Sequence, residues 1–123
     1  MTIIEAIAYA ERAHPGGASD ADVLRWLAAL DGRIKHELID TREGAESVTL
    51  AVLDDTADAA TELLVSAPYD ELYEHYLDAK IYHARGEIER YNNAIAVLGE
   101  VYAAYAAHYN ATHKPRRRAW RLA

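Results

Sequence analysis

The chain has no cysteine and no phenylalanine, one methionine and three prolines among its 123 residues. Without cysteine it can form neither disulfides nor thiolate metal sites. Basic residues are scarce outside one place. The last eleven positions, HKPRRRAWRLA, hold five of the thirteen Lys and Arg residues and no acidic side chain. Residues 1–112 therefore keep eight basic residues against twenty acidic ones, a formal −12, compared with −7 for the whole chain. Such an acidic body repels duplex DNA and gains nothing from releasing its counterions. Long hydrophobic runs are also missing. The opening MTIIEAIAYAER is interrupted by Glu5 and has no basic stretch before it, so it does not read as a signal peptide. No segment approaches the roughly eighteen apolar residues of a membrane span. The length suits one domain with a modest core.

What is present is helical periodicity. Thr2 and Glu5 have capping-box spacing ahead of IIEAIAYAERA, where Ile3, Ile4, Ile7 and Ala8 share a face, which predicts a helix over 3–13. HPGG then breaks it. Ser19, Asp20 and Asp22 predict the start of a second helix over 20–40, with Val23, Trp26 or Leu27, Leu30, Ile34 and Leu38 at helical spacing. Gly32 inside it suggests close packing or a bend. From Thr41 to Ser66 the pattern changes. TREGAES is polar, SVTLAVL is β-prone and suits a short strand or an extended arm, and DDTADAATE is acidic. This region, about 42–66, reads as an excursion from a helical body, and loops of such length are usually functional or mobile.

Pro68 opens the longest signal, over 69–110. Leu77, Ile81, Ala84, Ile88, Tyr91, Ile95, Leu98, Tyr102, Tyr105 and Tyr109 recur in steps of four and three, the seam of one helix against another. Gly86 and Asn92–Asn93 are candidate breaks, and two helices meeting near Tyr91–Asn93 are favoured. Trp26, Leu30, Ile34, Ile81, Ile88, Ile95 and Leu98 are the expected core. The expected fold is all-α: a small helical bundle over 1–112 and a basic C-terminal arm over 113–123.

No motif points to chemistry. Only Glu11–His14 has the Glu-x-x-His spacing that a carboxylate-bridged metal bundle needs twice. The serines Ser19, Ser47 and Ser66 lack a nucleophile elbow, and no phosphate-binding or dinucleotide glycine pattern exists. No catalytic residue, cofactor or metal is expected, and carboxylates such as Asp70, Glu71 and Glu74 read as a solvated helix face. Nine tyrosines stand out. Tyr69, Tyr73, Tyr76 and Tyr82 read first as a core edged by tyrosine, whose hydroxyls stay wet or bonded. On another face Tyr69, Tyr73 and Tyr76, with Val48, Leu50 and Val52 of the excursion, are the candidate interface between subunits, where tyrosine is enriched. The arm has three readings: a DNA clamp, a docking arm or a frayed end. Trp120 among Arg116, Arg117, Arg118 and Arg121, with Leu122 following, favours docking on a protein, and residues 114–123 are expected to be disordered until they dock.

DADVLRWLAALDGRI, LLVSAPYDELYEHYL, GEIERYNN and YAAYAAHYNATHKP together resemble the small helical head–tail connector, or adaptor, proteins of tailed phages. The resemblance covers most of residues 22–114; DDTADAAT and RRRAWRLA lie outside it. It implies a virion neck subunit, assembled in the host cytoplasm as a homo-oligomeric ring, commonly of twelve, beneath the portal protein. Such a ring extends the DNA channel without sequence-specific binding, involves no membrane, and meets a head-closure or tail component. Two other classes fit the residues: a small helical regulator or chaperone, and a nucleic-acid-binding protein acting through its tail.

Overall fold

Thr2 starts the first helix in the way its spacing to Glu5 predicts. Its hydroxyl accepts from the Glu5 N–H at 3.3 Å, and the Glu5 carboxylate accepts from the Thr2 N–H at 3.2 Å. Ser19 caps the second helix by accepting from the Asp22 N–H at 3.1 Å. Each cap satisfies donors that a helix leaves open at its N-terminus. The computed structural model describes residues 1–116 and contains four α-helices: α1 (Ile3–Ala13), α2 (Asp20–Glu37), α3 (Leu72–Ala84) and α4 (Ile88–Thr112). No β-strand occurs among the described residues, so the fold is all-α.

Two boundaries differ from expectation. After Glu37 the chain tightens into a 3₁₀ turn over Ile39–Thr41, where the Thr41 N–H and hydroxyl both donate to the Leu38 carbonyl. α3 begins at Leu72 and not at Tyr69, because residues 66–71 form successive turns.

The break in the long periodic region falls at Gly86, and Asn92 and Asn93 lie inside α4. Gly86 takes φ +71°, a left-handed geometry that only a residue without Cβ adopts at no cost. The Glu87 N–H then donates to the Tyr82 carbonyl at 3.0 Å and the Gly86 N–H to the His83 carbonyl at 3.1 Å, closing α3 in a Schellman motif. The result is an antiparallel hairpin. His83 faces Tyr91 at 5.2 Å between ring centroids, and at the other end Tyr69 meets Tyr105 at 5.6 Å.

This folding-back splits the heptad into two jobs. Leu77 and Ile81 of α3 are fully buried against α1 and α2, together with Ile3, Ala6, Leu27 and Ile34. α3 is the pillar that touches all three other helices, while α4 packs on α3 alone. Ile88 and Ile95, expected in the core, are therefore 57% and 41% exposed. Trp26, Leu30 and Leu98 are half-buried beside the core.

The close packing suggested at Gly32 is absent, since a Cβ added there would meet nothing within 4 Å. The excursion, in turn, is no detached loop. Ala45, Leu53, Leu63 and Val65 are buried. The Leu63 N–H donates to the Met1 carbonyl at 2.9 Å, and the Ile3 N–H to the Thr61 carbonyl at 3.0 Å. In SVTLAVL, Ser47 ends the 3₁₀ turn Ala45–Ser47 and residues 48–53 join no strand.

Urea unfolding of single variants tests this partition. Leu77→Ala and Ile81→Ala should each lose about 2–5 kcal/mol, as for large-to-small changes at buried sites. Ile88→Ala should lose under about 1 kcal/mol, since little apolar area leaves water there on folding. Gly32→Ala should gain about 0.5–1 kcal/mol, because Ala fits the space and restricts the unfolded chain.

Candidate functional site

Of the tyrosines proposed for a subunit interface, Tyr73 belongs to the core of its own chain. It is fully buried. Its hydroxyl donates to Asp31 Oδ1 at 2.6 Å and accepts from the Val65 N–H at 2.8 Å. Asp31, also buried, accepts from the Leu64 N–H through Oδ2 at 3.1 Å. One phenol and one carboxylate thus join α2, α3 and the end of the excursion. Burial pushes the Asp31 carboxyl above its usual range, opposed by the bonds from Tyr73 and Leu64. Burial, and then the neighbouring Asp31 charge, push the Tyr73 phenol upward as well.

Tyr69 and Tyr76 are half-buried. Tyr69 packs on Tyr105 and His108, with centroids 5.6 and 5.2 Å apart, and the enclosed Tyr105 phenol is pushed up to about 12, chiefly by burial. Tyr76 lines an open groove of about 430 Å³ that runs over α3 between α2 and α4. Leu30, Leu72, Ile95 and Leu98 give the groove apolar walls, and Arg33 and Lys80 stand along it. Ile88, at 57% exposure, lies two turns before the groove residue Ile95, at 41%, on one face of α4, while Val97, at 40%, stands on the opposite face. This surface exists because α4 has α3 on one side and no second helix among the described residues on the other.

The excursion residues Val48 and Leu50 are half-buried, and Val52 is 72% exposed. The basic arm begins beside the same loop. The Glu43 N–H donates to the Lys114 carbonyl at 2.9 Å and the Arg116 N–H to the Thr41 carbonyl at 2.8 Å, an antiparallel bridge centred on Arg42 and Pro115. Arg116 also pairs with Glu46 at 3.6 Å, and His113 stacks on Tyr109 at 3.9 Å. Lys114 to Arg116 are therefore held by their own chain, contrary to the expectation of a free arm from Lys114 onward. Pro115 cannot continue the helix, which ends at Thr112, and its neighbours pair with residues 41–43 through the Lys114 carbonyl, which accepts, and the Arg116 N–H, which donates. Arg117, Arg118, Trp120, Arg121 and Leu122 lie outside the described residues.

A second polar cluster was not read from the sequence. His14 is buried at the end of α1, with Nε2 2.7 Å from Asp78 Oδ1 on α3, and the Tyr9 hydroxyl donates to the same carboxylate at 2.9 Å. Burial, and then the bond to Asp78, push the Tyr9 phenol upward. The Tyr82 ring packs edge-on against His14 at 5.1 Å. A Cβ on Gly17 would lie 2.9 Å from Arg85 Nη2 and 3.0 Å from the His14 Cβ and carbonyl, so glycine lets the turn after α1 pack this closely on His14. The Glu11–His14 spacing singles out the right histidine for the wrong reason. Its partner is 64 residues away, and Glu11 accepts instead from the Gly16 N–H. Among the described residues no three His, Asp or Glu side chains converge where a metal ion could sit, and no helix is long and apolar enough to cross a membrane.

The Asp31 pair makes a signed prediction. With its folded pKa raised, the native state holds a proton that the unfolded state has lost once pH exceeds about 4. Stability from this group is thus present at low pH and falls as pH rises through the folded value. Asp31→Asn should flatten that fall in urea titrations run at a series of pH values. Tyr73→Phe should extend it to higher pH, by removing a donor to the carboxylate. It should also lose about 1–3 kcal/mol, because the buried Val65 N–H is left without an acceptor.

No protein-family model, no curated protein and no solved structure matches this chain.

Proposed function

We propose that the chain is a structural subunit of a head–tail connector. It assembles head-to-tail with copies of itself into a ring beneath the portal, extends the DNA channel and joins the capsid to the neck. The observation that carries this reading is the bare apolar face of α4 at Ile88 and Ile95, two turns apart. Contiguous exposed apolar residues on a small domain mark a partner surface. A second apolar position, Ile4 on α1, is 52% exposed, and α1 and α4 both pack on α3 without touching each other. Two unlike surfaces on one subunit suit a heterologous contact, and repetition of such a contact closes a ring when its rotation allows. The resemblance carried by LLVSAPYDELYEHYL and YAAYAAHYNATHKP supplies the phage context. An acidic body suits the wall of a channel through which DNA must slide.

The groove between α2 and α4 favours a second reading, a helical regulator that takes a partner helix against Leu30, Ile95 and Leu98. Light scattering after size exclusion separates the two, on the protein alone and mixed with purified portal. The connector reading expects a ring-sized species in one of the two samples, visible as rings by electron microscopy. Ile88→Asp with Ile95→Asp should abolish it while leaving the circular dichroism spectrum helical. A monomer or dimer in both samples overturns the connector and leaves the regulator.

A further inference from the structure

Between the Ala45–Ser47 turn and Asp54, the chain leaves Val48 in extended geometry and carries no regular secondary structure, and it is apolar and open. The Val48 N–H closes the turn on the Ala45 carbonyl at 3.1 Å. From Thr49 to Leu53, no backbone N–H or carbonyl is hydrogen-bonded to another described residue. Leu53 is buried and pins the segment to the core, while Thr49, Ala51 and Val52 stand in solvent. A β-prone stretch held at one end, with its peptide groups open, is a ready template for another strand.

Charge selects what can pair there. No Lys or Arg occurs from residue 43 to residue 79, whereas Glu43, Glu46, Asp54, Asp55, Asp58 and Glu62 surround the segment. Two copies of this loop laid together would bring like charges into register, which opposes pairing. A basic strand without carboxylate side chains fits. The chain contains one, residues 117–123, RRAWRLA. Trp120 and Leu122, two residues apart, would share one face of an extended strand, as Leu50 and Val52 do. The start of the arm already uses this chemistry, because Lys114 and Arg116 make backbone bonds to residues 43 and 41, and the Arg116 guanidinium reaches Glu46.

That existing bridge also argues for which copy supplies the strand. Its register is antiparallel, so the arm runs toward lower loop numbers as its own numbers rise, away from Thr49–Leu53 of the same chain. A return would take a reversal within seven residues.

We infer that Thr49–Leu53 of one subunit receives residues 117–123 of a second copy as an added strand, with the arginines set against Glu46, Asp54 and Asp55. The exchange rests on the ring reading, since it needs a neighbour. It turns the arm into a strap between adjacent subunits.

The cysteine-free chain allows a direct test. Full-length Ala51→Cys and Ala119→Cys proteins are mixed under a mild oxidant, and disulfide-linked pairs are counted while light scattering follows assembly. The expected result is a mixed link, position 51 of one copy to position 119 of another, that exceeds self-links of either variant several-fold. Added salt should weaken it, and so should Asp54→Asn with Asp55→Asn. A self-link between two copies of the Ala51→Cys variant as strong as the mixed one overturns the strap in favour of loop self-pairing. An intrachain link in an Ala51→Cys, Ala119→Cys double variant, at concentrations where the protein is monomeric, overturns it in favour of the subunit's own arm. Ring-sized assembly without the mixed link overturns the strap and leaves the ring reading standing. Absence of both assembly and link overturns both.

Discussion

The fold hangs on one buried hydrogen-bonded pair. The Tyr73 hydroxyl and the Asp31 carboxylate meet at 2.6 Å where α2 and α3 cross, and between them they take up the N–H groups of Leu64 and Val65. Those two N–H groups belong to an irregular segment that has no ladder of its own to satisfy them. A buried peptide donor without an acceptor is costly, so the segment can return through the core only where side-chain acceptors wait for it. A purely apolar contact between α2 and α3 would pack as well but would leave the returning chain nowhere to go. The raised carboxyl of Asp31 follows from that arrangement, a carboxylate kept out of water to serve one backbone N–H and a phenol.

With the excursion anchored at Leu53, Leu63 and Val65, α3 becomes the centre of the molecule. It is covered by α1 and α2 on one side and by α4 on the other, and the His14–Asp78–Tyr9 cluster locks α1 to it. The second polar tie resembles the first in design. Each sets a carboxylate of one helix under a tyrosine of another, and each lets a turn or loop close over the junction. Tyrosine suits both places, since its ring fills apolar space while the hydroxyl makes a directed bond. That accounts for part of a composition rich in tyrosine and empty of phenylalanine.

α4 is the exception. It is the longest helix, yet within the described residues it buries only Tyr105 and leaves a groove beside α2. A helix of this kind leaves apolar area unburied in the isolated subunit, and association with another copy would recover it. The proposed ring and the proposed strap act on different surfaces. The first would cover the apolar side of α4, and the second would neutralise an acidic loop with the only strongly basic segment of the chain.

The helical class, the caps at Thr2 and Ser19, and the buried positions Ile34 and Ile81 could be read from the sequence, because local hydrogen bonding and a 3.6-residue period determine them. That SVTLAVL stands apart from the helices was legible through its β-branched residues, but not the 3₁₀ turn at Ala45–Ser47 that opens it. The break at Gly86 was visible as a candidate but not as the answer, because the heptad runs in phase straight through it from Ile81 to Ile88. Periodicity records which side of a helix is apolar, not whether the chain doubles back. Tertiary structure decided the rest. It sent Tyr73 inward and Ile88 and Ile95 outward, paired His14 with Asp78, and fastened Lys114–Arg116 to residues 41–43. Each of these depends on groups tens of residues apart meeting in space, and their bonds form only once α3 stands between α1, α2 and α4.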